Sequence, residues 1–240
     1  MRRYFYSLIG LVGLLSLCGA CDEGRIYEEV PDAQQEGRVA KLTGDFSDVA
    51  QWADGYSVVL AGFEEDNEYA VVAKALPLTD GPLEMSLGGI SEKVTQVKLC
   101  AVNSLRKEVL EFQSVECVDV TTDTIRLEVG ALSVGMLDGI QQQLLDKRCV
   151  ACHGGSTSAA AGLHLTKERS FSALVDQPAT TGPGAKRVEP GQAEGSVLYD
   201  ILSTDMSAAW GIDHSGMLSA TPVMLTLIKD WINSGIEGNE

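Results

Sequence analysis

Two hydrophobic periodicities divide the chain. Between residues 38 and 130 apolar side chains alternate in short runs: "RVAKLTGDF", "YSVVLAGF", "EYAVVAKAL", "PLEMSLGGI", "VTQVKLCAV", "VLEFQSVECV" and "TIRLEV". Each run has strand length, most are rich in β-branched residues, and Gly, Asn, Asp or Ser separates them. Strands at this spacing predict an antiparallel sandwich of immunoglobulin or fibronectin type. This stretch contains no histidine and no nucleophile beside a plausible base, so it reads as a spacer or recognition module.

From residue 134 to 240 the period lengthens. "SVGMLDGIQQQLLDKRC" puts Val134, Leu137, Ile140, Leu144 and Leu145 on one helical face. Gly139 weakens that helix by about 1 kcal/mol relative to alanine. "TPVMLTLIKDWINSG" predicts a second amphipathic helix, with Thr221 as N-cap, Pro222 in the first turn and Gly235 as the stop. Leu225, Ile228, Trp231 and Ile232 share its apolar face, and Trp231 reads as core. A long Gly-, Ser- and Ala-rich stretch between the two holds at most short helices, near "SFSALV" and "EGSVLYDIL". The expected architecture is therefore multidomain: an all-β sandwich over 38–130 followed by an all-α unit over 134–240. That second unit has a thin core which something other than protein should complete.

The N-terminus departs from both patterns. Two arginines precede the apolar run "SLIGLVGLLSL", and small residues and Cys21 follow. This is the layout of a signal peptide over residues 1–20, too short for a convincing membrane span. "CGAC" resembles the lipobox of bacterial lipoproteins, with Cys21 as the lipidated residue and Cys18 where an aliphatic residue is usual. Residues 21–37 continue as an acidic, polar tether. Acidic residues directly behind the cysteine also resemble the surface-export signal of Bacteroidetes lipoproteins.

Composition narrows the function. Apolar content of 45% with few prolines excludes wholesale disorder, and a net charge of −16 argues against nucleic acid as a partner. The acidic surface favours a protein partner with a basic patch. Cys100 and Cys117 both lie in strand runs; after export they are either a disulfide or two buried thiols.

The chemistry concentrates in "KRCVACHGG", residues 147–155. On a helical turn Cys149, Cys152 and His153 project to one side, at i, i+3 and i+4. Two thiols so placed can add to the vinyl groups of a haem while the next imidazole reaches iron from the same side; this is the attachment signature of c-type haem. A haem would also complete the thin core. Zinc needs a second pair of ligands, and His164 and His214 are isolated. A redox dithiol expects the motif after a strand, opening a βαβ helix.

Residues 134–236 resemble the class I cytochrome c fold, more closely the cytochrome c-like domains of planctomycete and Bacteroidetes surface proteins. The matching stretches are "CVACHGG", "AAGLHLT", "RVEPGQAEGSVLY" and "LIKDWINSG". The resemblance implies thioether attachment of haem c through Cys149 and Cys152, with His153 as the proximal iron ligand. It also makes twin-arginine export of "RRYF" a poor reading, since c-type haem joins an unfolded chain outside the cytoplasm. The family's Met-Pro pair, which supplies the sixth ligand, is missing. Met217 and His214 are the candidates, Met206 lies upstream, Met224 falls on the apolar side of the last helix, and His164 reads as surface.

These features predict a lipid-anchored monohaem cytochrome c of the cell envelope. It would face the periplasm or the cell surface at the outer membrane, carrying single electrons to a redox partner rather than acting as an enzyme. Two alternatives stand beside it. One is a gas or peroxide sensor with an open iron site. The other is a surface lipoprotein whose sandwich binds a glycan or protein, with an ancillary haem domain.

Overall fold

The computed structural model describes residues 37–117, 124–155, 159–180, 184–218 and 222–235. The expected signal peptide, the expected lipidation site at Cys21, nearly all of the expected acidic tether and the expected Thr221 cap lie outside the described residues.

All the strand runs form strands: β1 (Arg38–Ser47), β2 (Tyr56–Glu64), β3 (Val72–Ala75), β4 (Gly81–Ile90), β5 (Val94–Asn103), β6 (Glu108–Glu116) and β7 (Thr124–Ser133). They assemble as two sheets, ordered β4-β1-β7 and β3-β2-β5-β6. Alternation dictates the packing: Leu42, Leu87, Ile125 and Leu127 from one sheet meet Val58, Leu60, Val97 and Leu99 from the other in a dry core. Cross-strand partners such as Leu42–Met85 and Leu60–Leu99 keep these side chains in register. The sandwich is not wholly antiparallel, because β7 runs parallel to β1, pairing Leu42 with Leu127. Alternation fixes which face of a strand is buried but not the direction of its neighbour, so this pairing was beyond the pattern.

The helices are α1 (Met136–Ile140), α2 (Val150–His153), α3 (Ser170–Leu174), α4 (Val197–Ser203), α5 (Ser207–Trp210) and α6 (Pro222–Asn233). A π-helical stretch, Gln141–Cys149, joins α1 to α2 without a break. In α6 the buried residues are Met224, Leu227, Ile228, Trp231 and Ile232, while Leu225 is only partly covered. Gly235, at φ +85°, follows α6 in the left-handed region where glycine is at ease.

The expected multidomain fold, with an all-α cytochrome c-like domain after the sandwich, is overturned. The structure is mostly β-sheet, its helices are short, and no sizeable all-α domain is formed by the described residues. Apart from the unbroken run over 136–153, part α- and part π-helical, only α6 reaches 12 residues, and the remaining helices, of four to seven residues, bury too little to hold together unaided. They borrow the sandwich instead. Ala101, Val109 and Leu110 share one apolar cluster with Met136, Ile140, Leu144, Ile228 and Trp231, and the described residues belong to one compact unit.

The loop between β1 and β2 carries much of this junction. Trp52 donates from Nε1 to the Val134 carbonyl at 2.8 Å and meets Phe112 edge-on, with centroids 6.3 Å apart. The Met136 amide donates to Gln51 O at 3.0 Å, and Tyr56 Oη donates to Asp230 Oδ2 of α6 at 2.6 Å. Gly139 explains itself here: a Cβ at that position would stand 2.4 Å from Leu110 Cδ1, so the residue that weakens α1 is what lets it approach β6.

Cys100 and Cys117 are free thiols, both buried. Cys117 belongs to the intersheet core, whereas Cys100 packs on the opposite face of its sheet with Val59, Ala61 and Phe63. The strand pleat therefore separates them, and burial raises both thiol pKa values.

Candidate functional site

Beyond the junction, the helical segment encloses a cavity of about 320 Å3. Cys149, Cys152 and His153 line one part of it, and His214 and Met217 line it as well. Leu144, Leu145, Leu163, Leu165, Leu174, Val197, Leu198, Ile201 and Leu202 supply apolar walls, contributed by the π-helical stretch, the turn after α2, and α3 and α4.

The local sequence positions the motif. The π-helical stretch ends at Cys149, and α2 carries Cys152 and His153. The chain then turns back through Ala160–Gly162, where Ala161 sits at φ +54°, a left-handed conformation uncommon for a residue with a side chain. That turn aims the Ala160 carbonyl at His153, whose Nδ1 lies 3.1 Å from it. An Nδ1–H donated there leaves Nε2 unprotonated and available as a ligand, the usual outer-shell arrangement of metal-binding histidines. The Leu165 amide closes the loop by donating to His153 O at 2.8 Å. Gly154 is a second enforced glycine, since a Cβ would stand 2.5 Å from the Val150 carbonyl oxygen.

Electrostatics follow from this placement. Burial lowers the His153 pKa; the Ala160 carbonyl opposes that shift, while His214 and Arg187 add to it. The imidazole is therefore neutral near pH 7. Burial pushes the Cys149 thiol up to about 11, with Arg148 opposing and Cys152 assisting. Arg148 and Arg187 also line the cavity, and Arg187 donates to the Ala173 carbonyl at 2.7 Å. They bring two cations to apolar walls in a chain of net charge −16.

The other candidates lie elsewhere. His164 is half-buried, with Arg169 Nη1 3.3 Å from its Nδ1. Met224 is in the apolar core, and Met206 is partly buried outside the cavity lining. A larger groove of about 590 Å3, bordered by Asp48, Trp52, Asp138 and Lys167, contains none of the cysteines or histidines. Among the described residues, no three or more His, Cys, Asp or Glu side chains converge as a metal cluster, and no helix is long and apolar enough to cross a membrane.

Sequence reasoning missed the Ala160 carbonyl and the two arginines. Arg187 opens the stretch "RVEPGQAEGSVLY", but nothing in its spacing ties it to the cysteines; only the fold does. No family model, curated protein or solved structure matches this chain.

Proposed function

We propose that the protein is a membrane-anchored, extracytoplasmic monohaem c-type cytochrome that carries single electrons. The observation that carries this reading is the convergence of Cys149, Cys152 and His153 on one apolar cavity. The donor set fits the group: two thiols three residues apart, an imidazole held through Nδ1, apolar walls, and two guanidinium groups to match the haem carboxylates. Cys149 and Cys152 would hold the haem by thioethers, and His153 would bind iron through Nε2. Bound there, the haem supplies a one-electron ferrous–ferric couple.

The remaining work falls to the chain. The leucine-rich walls exclude water, which limits solvent reorganisation when charge changes. The Ala160 carbonyl fixes the His153 ring and raises its basicity. Ile212, 54% exposed at the cavity rim, and the exposed Cys152 mark an open side where a redox partner can approach. The net charge of −16 favours a partner with a basic docking patch. No side chain needs to act as acid, base or nucleophile. The leader and Cys21 support a lipid anchor in the cell envelope.

The test is co-expression of the full chain with a haem-maturation system, followed by a reduced pyridine haemochrome spectrum. The expected result is a c-type band that survives denaturing extraction, lost when Cys149 and Cys152 are both changed to Ser. No covalent haem, alongside a control cytochrome matured in the same cells, would refute the reading. Acylation is checked separately by labelled fatty-acid incorporation, expected to vanish in Cys21→Ala.

A further inference from the structure

The His153 and His214 rings lie with centroids 6.4 Å apart and planes inclined by 33°. A direct N–H···N hydrogen bond would bring two imidazole centroids to roughly 5.2 Å, given a nitrogen–nitrogen distance near 2.9 Å. One metal ion in line between two ring nitrogens, at about 2.0–2.1 Å from each, would separate the centroids by about 6.4 Å. The observed spacing is too wide for a hydrogen-bonded pair and leaves room for one atom between rings turned nitrogen to nitrogen.

The loop bearing His214 is built to hold that position. Asp213 Oδ1 accepts from the Ser215 amide at 2.8 Å and from its hydroxyl at 2.6 Å, and the Met217 amide donates to His214 O at 3.0 Å. His214 and Met217 thus sit on one turn, and both line the cavity. No hydrogen bond to the His214 ring is made among the described residues, whereas His153 is already oriented by the Ala160 carbonyl.

We propose that His214, not Met217, is the second axial ligand, so that the iron is held between two imidazoles and Met217 only packs against the cavity. This rests on the haem reading above and deepens it. A second histidine would lower the potential relative to methionine, making the protein a low-potential carrier, and would close the iron to small molecules.

The experiment uses the haem-loaded full chain. Ferric electron paramagnetic resonance and near-infrared absorption are recorded for the wild type, Met217→Leu and His214→Ala. The wild type is expected to be low-spin without a thioether–iron charge-transfer band. Met217→Leu should be unchanged, and His214→Ala should lose the low-spin signal and regain it with added imidazole. A thioether–iron band in the wild type that disappears in Met217→Leu would overturn the assignment while leaving haem attachment intact. A high-spin wild type would also overturn it, and absence of covalent haem would overturn both readings together. Should His214→Ala fail to accumulate, the wild-type and Met217→Leu spectra alone decide between the ligands.

Discussion

Replacing Gly139 with alanine sets two effects of known sign against each other. Inside α1 an alanine is worth about 1 kcal/mol over glycine. The added methyl, however, would stand 2.4 Å from Leu110 Cδ1 and 2.8 Å from Cδ2, where carbon atoms prefer about 3.5–4.0 Å. Leu110 is only 3% exposed, so it can yield only by disturbing the shared core. Overpacking of this kind costs about 1–3 kcal/mol, which leaves Gly139→Ala neutral to destabilising by about 2 kcal/mol. Leu110→Ala alone should cost about 2–5 kcal/mol. In that background the obstruction is gone, so Gly139→Ala should become stabilising by about 1 kcal/mol, and by more if its methyl fills the space left behind. The four proteins are compared by urea unfolding of the full chain, followed by circular dichroism. The coupling energy is the readout. If Gly139→Ala has the same effect in both backgrounds, Leu110 is not what excludes a side chain at 139.

Other outcomes follow from the same junction and from the buried thiols. Tyr56→Phe removes the hydrogen bond to Asp230 and should cost about 1–2 kcal/mol in urea unfolding, below the full range for a charged acceptor because the pair is partly exposed. For Glu111, burial raises the carboxyl pKa, but Ser114 and Lys98 more than offset it, so its folded value is depressed. A depressed carboxylate stabilises above its unfolded pKa and loses that contribution as pH falls through the folded value. Glu111→Gln should therefore destabilise the chain at neutral pH and differ less from wild type as the pH falls below the ordinary carboxylate range, measured as the difference in urea midpoint. Cys100 and Cys117 should alkylate only on unfolding, as followed by peptide mass spectrometry; a disulfide between them, or rapid native labelling, would contradict their separate burial. In chains expressed without a haem-maturation system, amide hydrogen exchange should be fastest in the turn Ala160–Gly162 and in α4, and slowest in α6 where it packs on β6. Uniform protection across the helical segment would contradict that gradient.

The strands were legible because each obeys a local rule. In β5, Val97 and Leu99 face the intersheet core while Cys100 and Val102 face the other way, and a period of two announces such an arrangement without knowledge of any partner. The helical half obeyed its period in part. Ile140, Leu144 and Leu145 are buried as spaced, but Val134 packs into the sandwich before α1 begins. In α6 the buried face includes Met224 and Leu227 and only brushes Leu225. What the pattern could not disclose is what that apolar face packs against. A helix of four to seven residues looks the same in sequence whether it joins a helical domain or leans on a sheet. Leu110 and Trp52, which decide the matter here, lie in the half read as a separate sandwich.

The same distinction separates the parts of the site. Cys149, Cys152 and His153 are neighbours in sequence, so one helical turn suffices to aim them together, and the chemistry proposed for them comes from their spacing. His214 is more than sixty residues away. It meets His153 only because several separate local devices agree. The Ala160 carbonyl orients one ring, Asp213 shapes the turn that presents the other, and α4 packs against that turn with Leu198, Ile201 and Leu202 on the cavity wall. None of these leaves a motif. Met217 shares His214's turn and the same cavity, so position along the chain could never choose between them. The choice rests on a ring separation of 6.4 Å, a quantity that exists only once the chain is folded.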